Sequence, residues 1–392
     1  MDKDTLFSSF GKWVSPLSLN IFEDWKNTTL LDRYAKKLKT LVFLFLFIEA
    51  QLEKRTGLRS IMRALQADED LQRALGITSI SAAQLSRKNN MLDPELLQTI
   101  LCDLMTQLHR LQSPVSTRIG PVKVIDSTTI SLCLKKYGWA TFRKTKAGVK
   151  LHLRVTFLEP GVVYPDKAVI TPAKPADHTQ MDVLIDESDV TYLMDRGYLD
   201  YGKYDTYCER DIRFVSRLKD NAVVEEGEER TLPNGAAGER DVTVILGKGN
   251  KRMKHALRMI VTKDSQGRPV RIITNRFDLT AEEIGEMYRS RWQIEIFFRW
   301  VKQNLKFTRF YGETENAVMN QIWVCLIAYC LLLLMKLEAS TKMSLTEVKD
   351  LLKQLLWKPW EKLLAALHWK PSRTSKGRQK KQAFNAEIAN IN

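Results

Sequence analysis

The chain has 392 residues, with 61 Lys and Arg against 46 Asp and Glu and a formal charge of +15. An apolar fraction of 44% with 27% charged residues excludes a disordered or fibrous chain, and the length accommodates two or three domains around a substantial core. The basic excess points to a polyanionic partner, because each phosphate neutralised releases condensed counterions, although basic membrane-binding proteins share this signal.

Residues 1–115 read as all-helical, with apolar residues recurring at helical spacing over 30–52 and 96–111. Asp2, Lys3 and Asp4 precede no apolar stretch of signal-peptide type. The apolar run 41–48, closed by Lys39 and Glu49, is too short to cross a bilayer. Ser81 is placed to cap a short helix ending near Asn89 and Asn90. This basic helix suits either a DNA groove or the solvated face of a bundle.

The pattern changes after Gly120-Pro121. Residues 122–125 form a short β-branched run ending at Asp126, and 151–158 and 162–170 read as a hairpin around Pro160-Gly161. Residues 178–185 read as helix and 190–194 as a strand ending at Asp195. Alternating apolar positions over 214–276, with turn signals at Asn234-Gly235 and 247–249, predict a β-rich insertion. Thr280 and Glu283 form a capping box opening a helix expected to reach Asn304. A second apolar helix spans 315–337, its 322–335 run fitting a buried core helix. Shorter helices fall within 344–368, and the segment 370–381 is a basic tail without acids. The expected divisions are therefore 1–115, 116–213, 214–276, 277–338 and 339–392. The five cysteines include no C-x-x-C pair and the five histidines no cluster, so neither zinc nor a disulfide framework is expected, and a reducing cytoplasm is the expected compartment.

Three acidic positions carry the chemistry. Cleaving and rejoining phosphodiesters requires an activated oxygen nucleophile and stabilisation of the leaving oxygen, which two divalent cations can supply. Such cations take carboxylate oxygens from few side chains. Asp126 and Asp195 each follow a strand, and each taken alone reads as a turn or cap residue. On the following helix, at about 100° per residue, Tyr288, Arg291, Glu295 and Lys302 fall within an arc of about 60°. One stripe thus presents a phenol, a guanidinium, a carboxylate and an ammonium. A surface helix with an Arg291–Glu295 ion pair is the plain alternative. It leaves the bulky Trp292, Ile294, Phe297, Phe298 and Val301 unexplained.

The spacing of Tyr288, Arg291, Glu295 and Lys302 resembles the signature of the insertion-sequence-four family of bacterial DDE transposases, and the segments around Asp126-Ser-Thr and Asp195-Arg-Gly-Tyr resemble its two aspartate motifs. The resemblance covers about residues 120–335. It implies an α/β, RNase H-like catalytic core with a β-rich insertion, an N-terminal helical domain that binds DNA ends, and C-terminal helices. It further implies that Asp126, Asp195 and Glu295 hold Mg²⁺, with Mn²⁺ as a substitute, and that Tyr288, Arg291 and Lys302 grip DNA. The partners it implies are the element's terminal inverted repeats and target DNA, held by a homodimer in a synaptic complex, with no membrane and a place at the nucleoid. Trp292 either stacks on an unpaired base or packs in the core. Arg196, Lys144 and Lys146 are further candidate DNA contacts; Arg143, Lys144, Lys146 and Lys150 are read as lying between two strands. His152 is expected to be a strand residue, not a ligand. The competing readings are an inactive DNA-binding relative, a nuclease that only hydrolyses, and a basic membrane-surface protein.

Overall fold

The computed structural model describes residues 7–29, 31–111, 118–159, 162–231, 240–264 and 266–369. The basic segment 370–381 and the turns at 160–161 and 234–235 lie outside them.

The N-terminal part is helical: α1 (Ser9–Val14), α2 (Leu19–Thr28), α3 (Thr40–Leu52), α4 (Leu58–Ala67), α5 (Glu69–Leu75), α6 (Ala82–Met91) and α7 (Pro94–Arg110). Local chemistry sets several of these starts. Ser81 and Gln84 close a reciprocal capping box on α6. Asp93 caps α7, and Pro94 occupies the first turn, where a missing N–H costs nothing.

The sheet strands are β1 (Val122–Leu132), β2 (Thr141–Arg143), β3 (Lys146–Glu159), β4 (Val162–Pro172), β5 (Thr191–Met194), β6 (Arg213–Arg217), β7 (Val224–Glu229), β8 (Arg240–Leu246), β9 (Leu257–Lys263) and β10 (Pro269–Thr274). They form one ten-stranded sheet ordered β2-β3-β1-β5-β6-β10-β9-β8-β7, with β4 also on β3. β1, β3 and β4 pair antiparallel, whereas β1, β5 and β6 are parallel. The central strands are buried on both faces, as parallel strands require. Val124, Leu193 and Val215 enter the larger core, while Ile125, Met194 and Phe214 enter the smaller one. This two-residue alternation makes the sheet a middle layer.

The smaller core is closed by α8 (Met181–Leu184), α9 (Tyr201–Glu209) and the strands of the β-rich region. The larger is closed by the N-terminal helices and by α10 (Ala281–Ser290), α11 (Trp292–Asn304) and α12 (Glu315–Glu338), with α13 (Leu345–Gln354) and α14 (Trp360–Leu367) at its edge. α12 is long and apolar enough to cross a membrane by composition, but its apolar window is 94% buried within the fold, as a core helix should be.

Three expectations are corrected. β1 does not end at Asp126 but continues to Leu132, because its pairing with β3 carries on after that with β5 stops. The helix from Thr280 is interrupted at Arg291 and resumes as α11. The β-rich region continues the central sheet through β10 on β6, so a boundary at 213–214 falls inside β6. Residues 178–185 are helical as expected, as a 3₁₀ turn, Asp177–Gln180, followed by the single turn of α8.

Candidate active site

Strand register aligns the two aspartates. Ile125 and Met194 are the last parallel pair of β1 and β5, so Asp126 and Asp195 are the next residue on each. The pleat turns both toward the larger core's face, two residues after Val124 and Leu193. α11 covers that face through Ile294, Phe297, Phe298 and Val301, a helical i, i+3, i+4, i+7 stripe. Glu295 follows Ile294 at the edge of this contact.

The side chains interlock by hydrogen bonds. Asp126 Oδ1 accepts from the Ser127 N–H at 2.7 Å, and Asp195 Oδ1 accepts from the Gly197 N–H at 2.6 Å. A Cβ at Gly197 would sit 2.8 Å from Asp195 Oδ1, so a larger residue there requires the carboxylate to shift. Arg291 Nη2 donates to Glu295 Oε1 at 2.6 Å, while Nη1 lies 3.8 Å from Asp126 Oδ2. Its guanidinium therefore bridges the two carboxylates, 5.8 Å from the Tyr288 ring centroid. Lys302 Nζ donates to Thr128 Oγ1 at 2.5 Å, two residues beyond Asp126.

Electrostatics tie the three acids together. Burial first, then the charges of Asp195 and Glu295, push the Asp126 carboxyl up to about 7, against the Ser127 N–H and Arg291. Burial also raises the Tyr288 phenol, on which Arg291, Asp195 and Arg217 act in turn. Burial lowers the Lys302 ammonium, opposed by Asp126. Among the described residues, no group of three or more His, Cys, Asp or Glu side chains already converges on one point. The donors nevertheless suit a hard divalent cation: they are carboxylate oxygens, that of Asp126 is poorly solvated, and the charges of the other two act against its own.

Trp292 does not pack in the core. It is 49% exposed and lines a cavity of about 370 Å³ between α10, α11 and the strands β9 and β10, beside Arg217, Tyr288 and Arg291. The break at Arg291 accompanies this outward placement. Arg196 is exposed in the turn after Asp195. Lys144 and Lys146 are exposed at the β2–β3 turn. With Leu153 opposite Asp126, Lys146 lies seven residues, roughly 20 Å, along β3 from the acids. Lys146 and Lys150 belong to β3 and not to a stretch between strands. His152 is a buried strand residue, paired with Thr171 Oγ1 at 3.0 Å, and burial lowers it to about 4, so it is neutral.

Asp177 is the residue that the sequence reading missed. Its Oδ1 accepts from Ser127 Oγ at 2.8 Å and from Lys150 Nζ at 3.0 Å, and His152 Nδ1 lies 3.8 Å away. It thereby braces the residue next to Asp126 from behind. An aspartate opening a helical turn carries no sequence signal beyond that of a cap.

Residues 118–331, more than half of the chain, match the family described as the transposase DDE domain. Residues 6–78 match a family described only as a domain of unknown function. A probable transposase for the insertion sequence element IS5377 of Geobacillus stearothermophilus is 32% identical over 260 residues, 66% of this chain and 68% of that protein. A putative transposase of Sinorhizobium fredii is 34% identical over 216 residues, 54% of this chain and 60% of that protein. A putative transposase for the insertion sequence element IS4SA of Synechocystis is 24% identical over 379 residues, 93% of this chain and 98% of that protein. The piggyBac transposase synaptic complex with hairpin DNA aligns at a TM-score of 0.47 and 10% identity over 92% of this chain and 80% of that one, a likeness too loose to bear on the fold.

Proposed function

The chain belongs to the transposase DDE domain family, and on that premise we propose that Asp126, Asp195 and Glu295 are its metal-binding catalytic carboxylates. The protein is a transposase, a metal-dependent enzyme of DNA cleavage and strand transfer. The observation that carries the assignment is the register of β1 on β5, which aligns Asp126 with Asp195 under the helix bearing Glu295. The order β4-β3-β1-β5-β6, three antiparallel strands followed by two parallel ones, supports an RNase H-like core.

The cation is Mg²⁺ in this reading, with Mn²⁺ as a substitute. When bound it supplies an activated oxygen nucleophile and neutralises charge on the leaving oxygen. The protein's own groups do the rest. Asp126 must give up its proton before it can act as a ligand. Arg291, which bridges Asp126 and Glu295, is freed from them to fork onto a phosphate. Lys302 holds a phosphate as a point charge, and Tyr288 hydrogen-bonds one beside Asp195. The matching spacing of Tyr288, Arg291, Glu295 and Lys302 supports membership of the insertion-sequence-four group. The substrates are then the element's terminal repeats and a target duplex. Two ends require synapsis, hence a homodimer working in the bacterial cytoplasm at the nucleoid.

Incubating a terminal-repeat duplex with Mg²⁺ and either wild type or Glu295→Ala tests the assignment. The reading expects cutting and strand-transfer products from wild type only, with equal DNA retardation by both. Cutting by Glu295→Ala would remove Glu295 from the site, and hydrolysis without strand transfer would favour a nuclease.

A further inference from the structure

A second group of cations lies next to the carboxylate depression and, among the described residues, has no acidic partners. Arg299, Lys302 and Gln303 line that depression beside Asp126 and Glu295. From there the chain leaves α11 into the segment 305–311, which carries Lys306 and Arg309. Lys54, from the end of α3, reaches the same place and donates to the Gln303 carbonyl.

The backbone of this segment is fixed from inside. Gln51 and Gln321 are fully buried. Gln51 Oε1 accepts from the Lys306 N–H at 2.8 Å. Gln321 Nε2 donates to the carbonyls of Lys306 at 2.7 Å and Arg309 at 2.9 Å, while its Oε1 accepts from the Tyr311 N–H at 2.8 Å. Two buried amides thus hold the loop so that Lys306 is half-exposed and Arg309 exposed. Such an interior anchor spends buried polar groups on the shape of a surface loop.

The charges are unbalanced. Among the described residues no carboxylate pairs with Lys54, Lys306 or Arg309. The nearby Glu49 and Glu53 are engaged by Arg55 and Lys353. Burial lowers the Lys306 ammonium, and the like charges of Arg309 and Lys54 lower it further. Lys54 also adopts the left-handed region, φ +52°, just past α3, where glycine is preferred. Capping the C-terminus of α11 accounts for Lys54 alone, not for Lys306 and Arg309.

We propose that Lys306 and Arg309, with Lys54, form a phosphodiester-binding track that continues from Lys302 and holds the DNA backbone beyond the cleaved position. The ligand class is the sugar-phosphate backbone, since like charges on a rigid loop match a row of phosphates. The proposal rests on the transposase reading and assigns these residues a part in it.

The test uses the full chain and a duplex DNA of arbitrary sequence, with affinity followed against salt in the absence of divalent metal. Relative to wild type, Lys306→Ala combined with Arg309→Ala is expected to flatten the slope of log K against log salt by about two ions. Lys306→Arg combined with Arg309→Lys is expected to keep it. An unchanged slope in the alanine variant overturns the track. Amine acylation of wild type, read by mass spectrometry, needs no variant: Lys54 and Lys306 should react severalfold more slowly with DNA bound, and equal rates overturn the track as well. A wild type that cuts DNA while its alanine variant binds with the same slope loses only this inference. A wild type that neither binds nor cuts DNA loses the transposase reading together with it.

Discussion

Asp126 is held where its charge is disfavoured. Burial first, then Asp195 and Glu295, lift it from 3.8 to about 7. A carboxyl raised on folding favours the fold when protonated; that contribution is full below the unfolded value and is lost as pH rises through the folded one. The metal-free protein is therefore expected to lose stability between about pH 4 and pH 7 from this group, on the order of a few kcal/mol. Asp126→Asn should then melt several degrees above wild type near pH 8 and close to it near pH 4, as thermal scans without divalent metal would read. Equal melting temperatures at both values would mean that Asp126 is not desolvated as described. The same variant is expected to abolish cutting while DNA affinity stays within about tenfold, or about 1.4 kcal/mol.

Asp177 acts at this scale too, through Ser127 and Lys150. Asp177→Ala leaves Lys150, half-buried, without its carboxylate. It is expected to slow cleavage at least tenfold, roughly 1.4 kcal/mol in the barrier, with DNA affinity unchanged. Unimpaired cleavage would show that the brace does not position Asp126. Its contact with Ser127 spans fifty positions of sequence, which explains why no local pattern revealed it.

Among elements, the turn after β5 and the break before α11 shape the site. Gly197 gives way to any larger residue only by moving the Asp195 carboxylate, because an added Cβ would lie 2.8 Å from Oδ1. Gly197→Ala is expected to cut activity by more than about tenfold with a stability change below about 2 kcal/mol. Wild-type rates in this variant would show that the Asp195–Gly197 turn is not needed. The strand that carries Asp126, the strand that ends just before Asp195 and the helix start at the Thr280 capping box were legible because period-2 and period-3.6 apolar patterns and cap chemistry are local. The break at Arg291 was not, because Arg291 carries no helix-breaking chemistry and its side chain is drawn to two carboxylates, one of them on β1. Helical periodicity likewise could not say that Trp292 meets solvent while Ile294 and Phe298 are covered, since all three are apolar and only packing against β1 and β4 decides which face is closed.

For the whole molecule, α12 is the shared support. Its buried Gln321 fixes the loop beyond α11, and its Asn320 Nδ2 donates to the carbonyls of Asn89 and Leu92, linking the N-terminal helices to the catalytic half. Gln321→Leu removes the side-chain partners of the Arg309 carbonyl and the Tyr311 N–H and leaves the Lys306 carbonyl only the Cys325 thiol at 3.4 Å, and is expected to destabilise the fold by roughly 2–4 kcal/mol, measured by denaturant unfolding. A loss below the error of that measurement would show the loop is held by other contacts. The length and burial of α12 were foreseeable from its apolar composition, whereas the continuity of the β-rich region with the central sheet depends on β10 pairing with β6, which no local signal encodes.

The claim on which the rest depends is that the aspartate at the end of β5 ligates a divalent cation. Asp195→Cys offers the most direct measurement, because a thiolate binds Mg²⁺ poorly and softer cations better. On a terminal-repeat duplex the variant is expected to be inactive with Mg²⁺ and to recover part of its cleavage with Mn²⁺, while DNA binding stays intact in both. Full cleavage by Asp195→Cys in Mg²⁺ would contradict the account.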